Sequence, residues 1–167
     1  MTINFGIKVG DTFTNKDIDA KALREHLTRE YKPGYSGYDN TEYGLVPERY
    51  LMEHHGYKDD KQEYKDLLKD GASVEIKSFS NSRNADEHKQ NILHNGYASS
   101  GGKRVTSLWE RKVMWKKDIS DHVIFFERSG RITRGEDYTL EYVCDEIFSW
   151  DSKKERYISV HSDKSVL

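Results

Sequence analysis

Hydrophobic positions recur along this chain at two periods, and the alternation between them divides it into elements. Ile18, Ala22, Leu23 and Leu27 fall at helical spacing. With Thr14 or Asn15 as the cap and Pro33-Gly34 as the stop, they predict a helix over 15–31. The stretch 34–44, rich in Gly, Tyr, Asn and Asp, reads as a loop of the kind that lines sites. A second helix is expected to start at Pro47, which suits a first turn, and to run through Glu48, Leu51 and Met52 to Gly56. Asp70-Gly71 is the strongest hairpin signal in the chain and predicts strands over 63–69 and 73–79. Asn84 with Glu87, and Ser107 with Glu110, are capping boxes that predict two further helices. Strands are then expected over 122–127, 139–143 and 156–160. This succession predicts an α/β or α+β domain with a central mixed sheet flanked by helices.

The hairpin carries more information than any other segment. If Asp70 and Gly71 form the turn, Lys69 pairs with Ala72, Leu68 with Ser73 and Leu67 with Val74, which brings Asp66 opposite Glu75. Strand alternation then puts Asp66, Glu75 and Lys77 on one face and Leu67, Val74 and Ile76 on the other. A slip of one residue would send the aliphatics to water and the carboxylates into the core, so the register is strongly specified. Directly opposed carboxylates repel, and a divalent cation held by oxygens relieves that repulsion, with Lys77 as a second positive group.

Composition narrows the setting. Leu, Ile, Val and Phe supply only 35 of 167 residues, so the core is expected to be thin, but the chain also has 11 Tyr, 6 Phe and 3 Trp and a net charge of -2, which favours a folded domain over a disordered one. Length fits one domain over 1–167, divided into an N-terminal helix and loop (1–44), a core (45–127) and C-terminal strands (128–167). No apolar run is long enough for a membrane helix and the N-terminus lacks a signal-peptide layout, so a cytoplasmic protein with no membrane partner is expected. Cys144 is the sole cysteine, which excludes an internal disulfide and a cysteine-built zinc site.

The segment KDLLKDGASVEIKSFS, with Asp66 ahead of a tight turn and Glu75-Ile76-Lys77 after it, resembles the PD-(D/E)XK nuclease superfamily. Pro47-Glu48-Arg49-Tyr50-Leu51-Met52 is similar to that family's first core helix, a helix containing Gln90 falls where many members carry a site glutamine or lysine, and SDHVIFFE resembles the next core strand. The pattern spans about half the chain. It departs from the family in having Lys65, not proline, before Asp66, and Asp70 is a rival for the first aspartate that the hairpin argument disfavours. The resemblance implies a restriction-endonuclease-like fold and hydrolysis of DNA with Mg²⁺ or Mn²⁺. It implies that Asp66, Glu75 and the Ile76 carbonyl hold the metal, that Glu48 joins them, and that Lys77 and Gln90 act beside it. It also implies 5′-phosphate and 3′-hydroxyl products. A bacterial cell or a phage-infected one is the setting such an enzyme suggests.

A chain this close to neutral can offer DNA only local positive charge. The best candidate is 103–117, where Lys103, Arg104, Arg111, Lys112, Lys116 and Lys117 face a single acid, Glu110, with Trp109 and Trp115 interleaved. Arg131, with Arg128 and Arg134 near Ser129-Gly130, forms a second patch. Duplex DNA is the expected partner, and its two-fold symmetry suggests a homodimer. A non-catalytic DNA-binding or assembly subunit of the same fold is one alternative. A nuclease acting on RNA or single strands, for which the tyrosines between Tyr31 and Tyr43 offer stacking surfaces, is another.

Overall fold

The structure, a computed structural model, describes residues 3–30, 38–59, 66–80 and 120–160. These form a mixed α+β arrangement in which one seven-stranded sheet carries two helices. In chain order the elements are β1 (Thr12–Thr14), α1 (Ala20–Glu30), α2 (Tyr38–His55), β2 (Lys58–Asp59), β3 (Leu67–Lys69), β4 (Ala72–Ser80), β5 (His122–Ser129), β6 (Glu141–Asp151) and β7 (Arg156–Ser159). The strand order is β1-β6-β5-β4-β3-β2, with β7 also paired to β6. Only β4 and β5 run parallel. The helices predicted around Asn84 and Ser107 lie outside the described residues.

The hairpin between β3 and β4 has the predicted register, with Leu67 opposite Val74, Leu68 opposite Ser73 and Lys69 opposite Ala72. Asp70 and Gly71 both have positive φ, 51° and 81°, as a two-residue turn matched to the sheet's twist requires. Alternation then sorts the side chains. Leu67, Val74 and Ile76, with Ile124, Phe126, Tyr142 and Cys144, face the helices and pack on Leu23, Leu27, Val46 and Leu51. Val123, Phe125, Phe148 and Tyr157 form a smaller cluster apart from these. In β6, Cys144 and Ile147 both enter the main core although three residues apart, because the register with β5 shifts by one residue between Phe125 and Phe126.

Two helix predictions need correction. The helix expected over 15–31 starts later: Thr14 caps only a 3₁₀ turn (Asn15–Asp17), Ile18 is extended, and α1 begins after Asp19, whose carboxylate accepts the amides of Lys21 and Ala22 at 3.0 and 3.2 Å. The segment 34–44 is not a loop throughout, since α2 starts at Tyr38 and Pro47 sits in its interior. Proline there removes the amide that would bond the carbonyl of Tyr43. The fold supplies substitutes: the Tyr142 hydroxyl donates to that carbonyl at 2.7 Å and the Ser78 hydroxyl reaches it at 3.5 Å. The helix therefore continues across Pro47 and ends at Gly56, whose φ of 73° turns the chain out. Tyrosines also bind α2 to the sheet, as Phe13 stacks between Tyr50 of α2 and Tyr142 of β6 with centroids 3.9 and 5.1 Å away. Among the strands, β3 is shorter than the predicted 63–69, with 63–65 outside the described residues, and β6 extends well beyond 139–143.

The proline account predicts a specific coupling. Tyr142→Phe should destabilise the protein by about 1 kcal/mol, because it leaves the part-buried Tyr43 carbonyl only the longer contact with Ser78. In a Pro47→Ala background, where the helix amide is restored, the same change should cost less than half as much, as read by a double-mutant cycle of urea unfolding. Equal costs in both backgrounds would refute the account.

Candidate active site

β3 pairs with β4 only through Val74, so from Glu75 onward the β3 side of β4 has no strand beside it among the described residues. Asp66, just before β3, fills the first step of that edge: its Oδ2 accepts the Ile76 amide at 2.8 Å. Asp66 is thus placed by a backbone hydrogen bond and not by strand pairing, which corrects the expectation that it pairs with Glu75 as a strand residue. Ile76 itself is buried in the main core.

Glu75 and Lys77 alternate with the core residues Val74 and Ile76 and so leave β4 on the opposite face. Lys77 Nζ is 3.2 Å from Glu75 Oε1, with both side chains partly buried. The other oxygen of Glu75, Oε2, accepts the Ser120 hydroxyl at 3.5 Å. Glu48, half-buried on α2, completes the group from the helix side. Residues from three parts of the chain, α2, the approach to β3, and β4, thereby influence one another's charge.

Burial pushes the Glu48 carboxyl well above the usual carboxylate range, and the charges of Asp66, Glu75 and Asp59 add to the effect while Lys77 opposes it. Asp66 is raised to about 7, first by burial and then by Glu75, against the lowering effects of the Ile76 amide and Lys77. For Lys77, burial disfavours the charge, but Glu75, Asp66 and Glu48 outweigh it and hold the ammonium above its ordinary pKa. The ammonium is therefore firmly protonated, and it is outnumbered by carboxyl groups.

These carboxyls interact across space without converging: among the described residues, no three His, Cys, Asp or Glu side chains gather closely enough to share an ion. Of the other candidates, Gln90, Lys103, Arg104, Arg111, Lys112, Lys116 and Lys117 lie outside the described residues. Arg131 is exposed and follows the far end of β5, whereas Glu75 lies opposite Val123 near the start of that strand. Its two neighbours are engaged with the fold. Arg128 stacks 3.7 Å over the Tyr43 ring, and Arg134 lies 3.4 Å from the buried carboxylate of Glu42, which the Tyr138 hydroxyl also contacts. His54 is likewise occupied, on the Asp17 carbonyl at 2.7 Å. A cavity of about 550 Å³ near Phe13 and Glu127 is lined by Arg128 but by none of Glu48, Asp66, Glu75, Lys77 or Arg131.

Several participants carried no signal in the sequence. Asp59 reaches the group because β2 pairs with β3 and sets it opposite Leu67, beside Asp66. Asp121 binds the hydroxyl and amide of Ser73 at 3.2 and 3.0 Å, which ties the start of β5 to β4. Tyr157 donates its hydroxyl to the Ser120 carbonyl at 2.8 Å from the other end of the chain. Neither a family model, nor a curated protein, nor a solved structure matches the chain. No helix among the described residues is long and apolar enough to cross a membrane.

The raised pKa of Asp66 gives a stability effect of definite sign. Between the unfolded value near 4 and the folded value of about 7, the native state keeps a proton that the unfolded chain has lost, so stability falls as pH rises through this window. Asp66→Asn keeps an oxygen for the Ile76 amide and removes the charge. In metal-free buffer it should stabilise the protein at pH ~8, with the gain fading as pH falls toward ~4. Urea unfolding at both ends tests this, and a gain independent of pH would contradict it.

Proposed function

We propose that this chain is a Mg²⁺-dependent endodeoxyribonuclease with a site of the PD-(D/E)XK type on a restriction-endonuclease-like sheet. The observation that carries the reading is the electrostatic coupling of Glu48, Asp66, Glu75 and Lys77 where β3 leaves β4, with Glu48 and Asp66 raised by burial and by neighbouring charge. Raised carboxyls at functional sites are common because catalysis needs groups whose ionisation can be controlled. The donor set is all oxygen, the chemistry a hard divalent cation takes, and a cation would relieve the repulsion that raises Asp66 and Glu48. The chemistry of the donor set therefore suits Mg²⁺, which Asp66, Glu75 and the Ile76 carbonyl would hold with Glu48 nearby. The chemistry such an ion would supply there is acidification of a water and neutralisation of charge at the scissile phosphate.

The remaining roles fall to the chain. Asp66 is oriented by the Ile76 amide through Oδ2, which leaves Oδ1 to meet a ligand at the edge of the sheet. Lys77, fixed beside Glu75 and firmly charged, orients the attacking water and stabilises negative charge as the phosphate is attacked. Glu48, half-buried on α2 beside these groups, would bind the ion or its water shell. The segment 103–117 and Arg131 contact the phosphates of duplex DNA, two copies of the chain act on its two strands, and the setting is the cytoplasm of a bacterial or phage-infected cell.

Supercoiled plasmid incubated with the protein should be nicked or linearised with Mg²⁺ or Mn²⁺ and merely bound with Ca²⁺, whose looser coordination activates water less. Glu75→Ala should abolish cutting while the protein stays folded. Lys77→Ala should reduce cutting by a factor of about 10² or more while leaving Mn²⁺ affinity equal or higher, since it removes a competing cation. Binding without cleavage on duplex DNA, single strands and RNA with all three metals would replace the enzyme reading with that of a non-catalytic subunit.

A further inference from the structure

The carboxylate of Glu75 is held at both oxygens, and the two holders differ. Oε1 faces the Lys77 ammonium at 3.2 Å, a partner on the same strand that is itself partly exposed. Oε2 accepts from Ser120, which is 1% exposed and immediately precedes the segment that enters β5. A flexible lysine leaves the plane of a carboxylate free to turn, whereas a hydroxyl on buried backbone restricts it.

Ser120 has little freedom of its own. The hydroxyl of Tyr157, itself 1% exposed, donates to its carbonyl at 2.8 Å. The next residue, Asp121, is tied to β4 by the Ser73 amide and hydroxyl, and its own amide donates to the Ser73 hydroxyl at 2.9 Å. This chain of contacts runs from β7 through the start of β5 to the residue of β4 that precedes Glu75 by two.

We propose that Ser120 is a positioning residue for Glu75, that Tyr157 holds Ser120 in place for that purpose, and that the pair set the orientation in which Glu75 meets a divalent cation. The inference rests on the nuclease reading, which makes Glu75 a metal holder. Neither residue touches substrate, and each acts through Glu75.

Calorimetric titration of Mn²⁺ into the whole, metal-free chain tests this, with DNA cleavage and thermal unfolding measured alongside. Ser120→Ala should weaken Mn²⁺ binding about tenfold and lower kcat with little change in KM for DNA. Tyr157→Phe, which removes one oxygen and opens no cavity, should shift both in the same direction by a smaller factor, and it carries the test if Ser120→Ala fails to fold. Tyr57→Phe, which removes a buried hydroxyl bonded to the Phe5 carbonyl at 2.8 Å, should lower stability and leave Mn²⁺ affinity unchanged. Glu75→Gln separates the two levels of the argument. If it abolishes Mn²⁺ binding while Ser120→Ala and Tyr157→Phe bind as the wild type does, the positioning role is wrong and the nuclease reading stands. If Glu75→Gln binds Mn²⁺ as the wild type does, the nuclease reading falls and the positioning role falls with it.

Discussion

Two residues with positive φ, Asp70 and Gly71, decide where almost everything near the candidate site points. A two-residue turn permits one pairing of β3 with β4, and that pairing admits one assignment of side chains to faces. Val74 and Ile76 go to the helices, so Glu75 and Lys77 must leave on the opposite side. The shortness of β3 matters equally. Because its pairing stops at Val74, no described strand reaches the Ile76 amide, and Asp66 satisfies it with a side chain where another strand would have used a carbonyl. A longer β3 would have closed the edge on which these groups meet.

The same arrangement stores electrostatic strain. Burial raises Glu48 and Asp66, neighbouring carboxylates raise them further, and among the described residues the Lys77 ammonium opposes them. A charge-rich hairpin that merely faced water would show little of this, because exposed charges are screened and their pairs are worth little. Here the groups sit at the junction of a helix and a sheet edge, where solvent is partly excluded and each charge acts on the next. A fold that keeps such an arrangement gives up stability at neutral pH, a concession that is common where groups are held for function.

Helix α2 shows how a local rule yields to tertiary contacts. Proline is expected near a helix start because its missing amide costs nothing there. At Pro47 it lies mid-helix, and the orphaned carbonyl of Tyr43 is answered by Tyr142 from β6, with Ser78 of β4 within reach. The substitution of a tyrosine hydroxyl for a helix amide ties α2 to the sheet one turn ahead of Glu48. Tyr50 strengthens the same junction by stacking on Phe13. The abundance of tyrosine in a chain short of aliphatics thus has a structural use, since each ring adds buried area and a hydroxyl able to satisfy stray backbone groups.

The sequence by itself determined what depends on near neighbours. The hairpin register, the division of β4 into a core face and a polar face, the end of α2 at Gly56 and the pairing of Glu75 with Lys77 follow from turn chemistry and alternation, which act over a few residues. Tertiary structure alone decided what depends on distant partners. It extended α2 back across Pro47 to Tyr38, set Asp66 on a backbone amide at the sheet edge, and turned Arg128 and Arg134 inward to Tyr43 and Glu42. It also brought Asp59, Ser120 and Tyr157 to the carboxyl group from three separate places in the chain. No local period marks such residues, because a hydrogen bond between Tyr157 and Ser120 exists only once β5, β6 and β7 have been laid side by side.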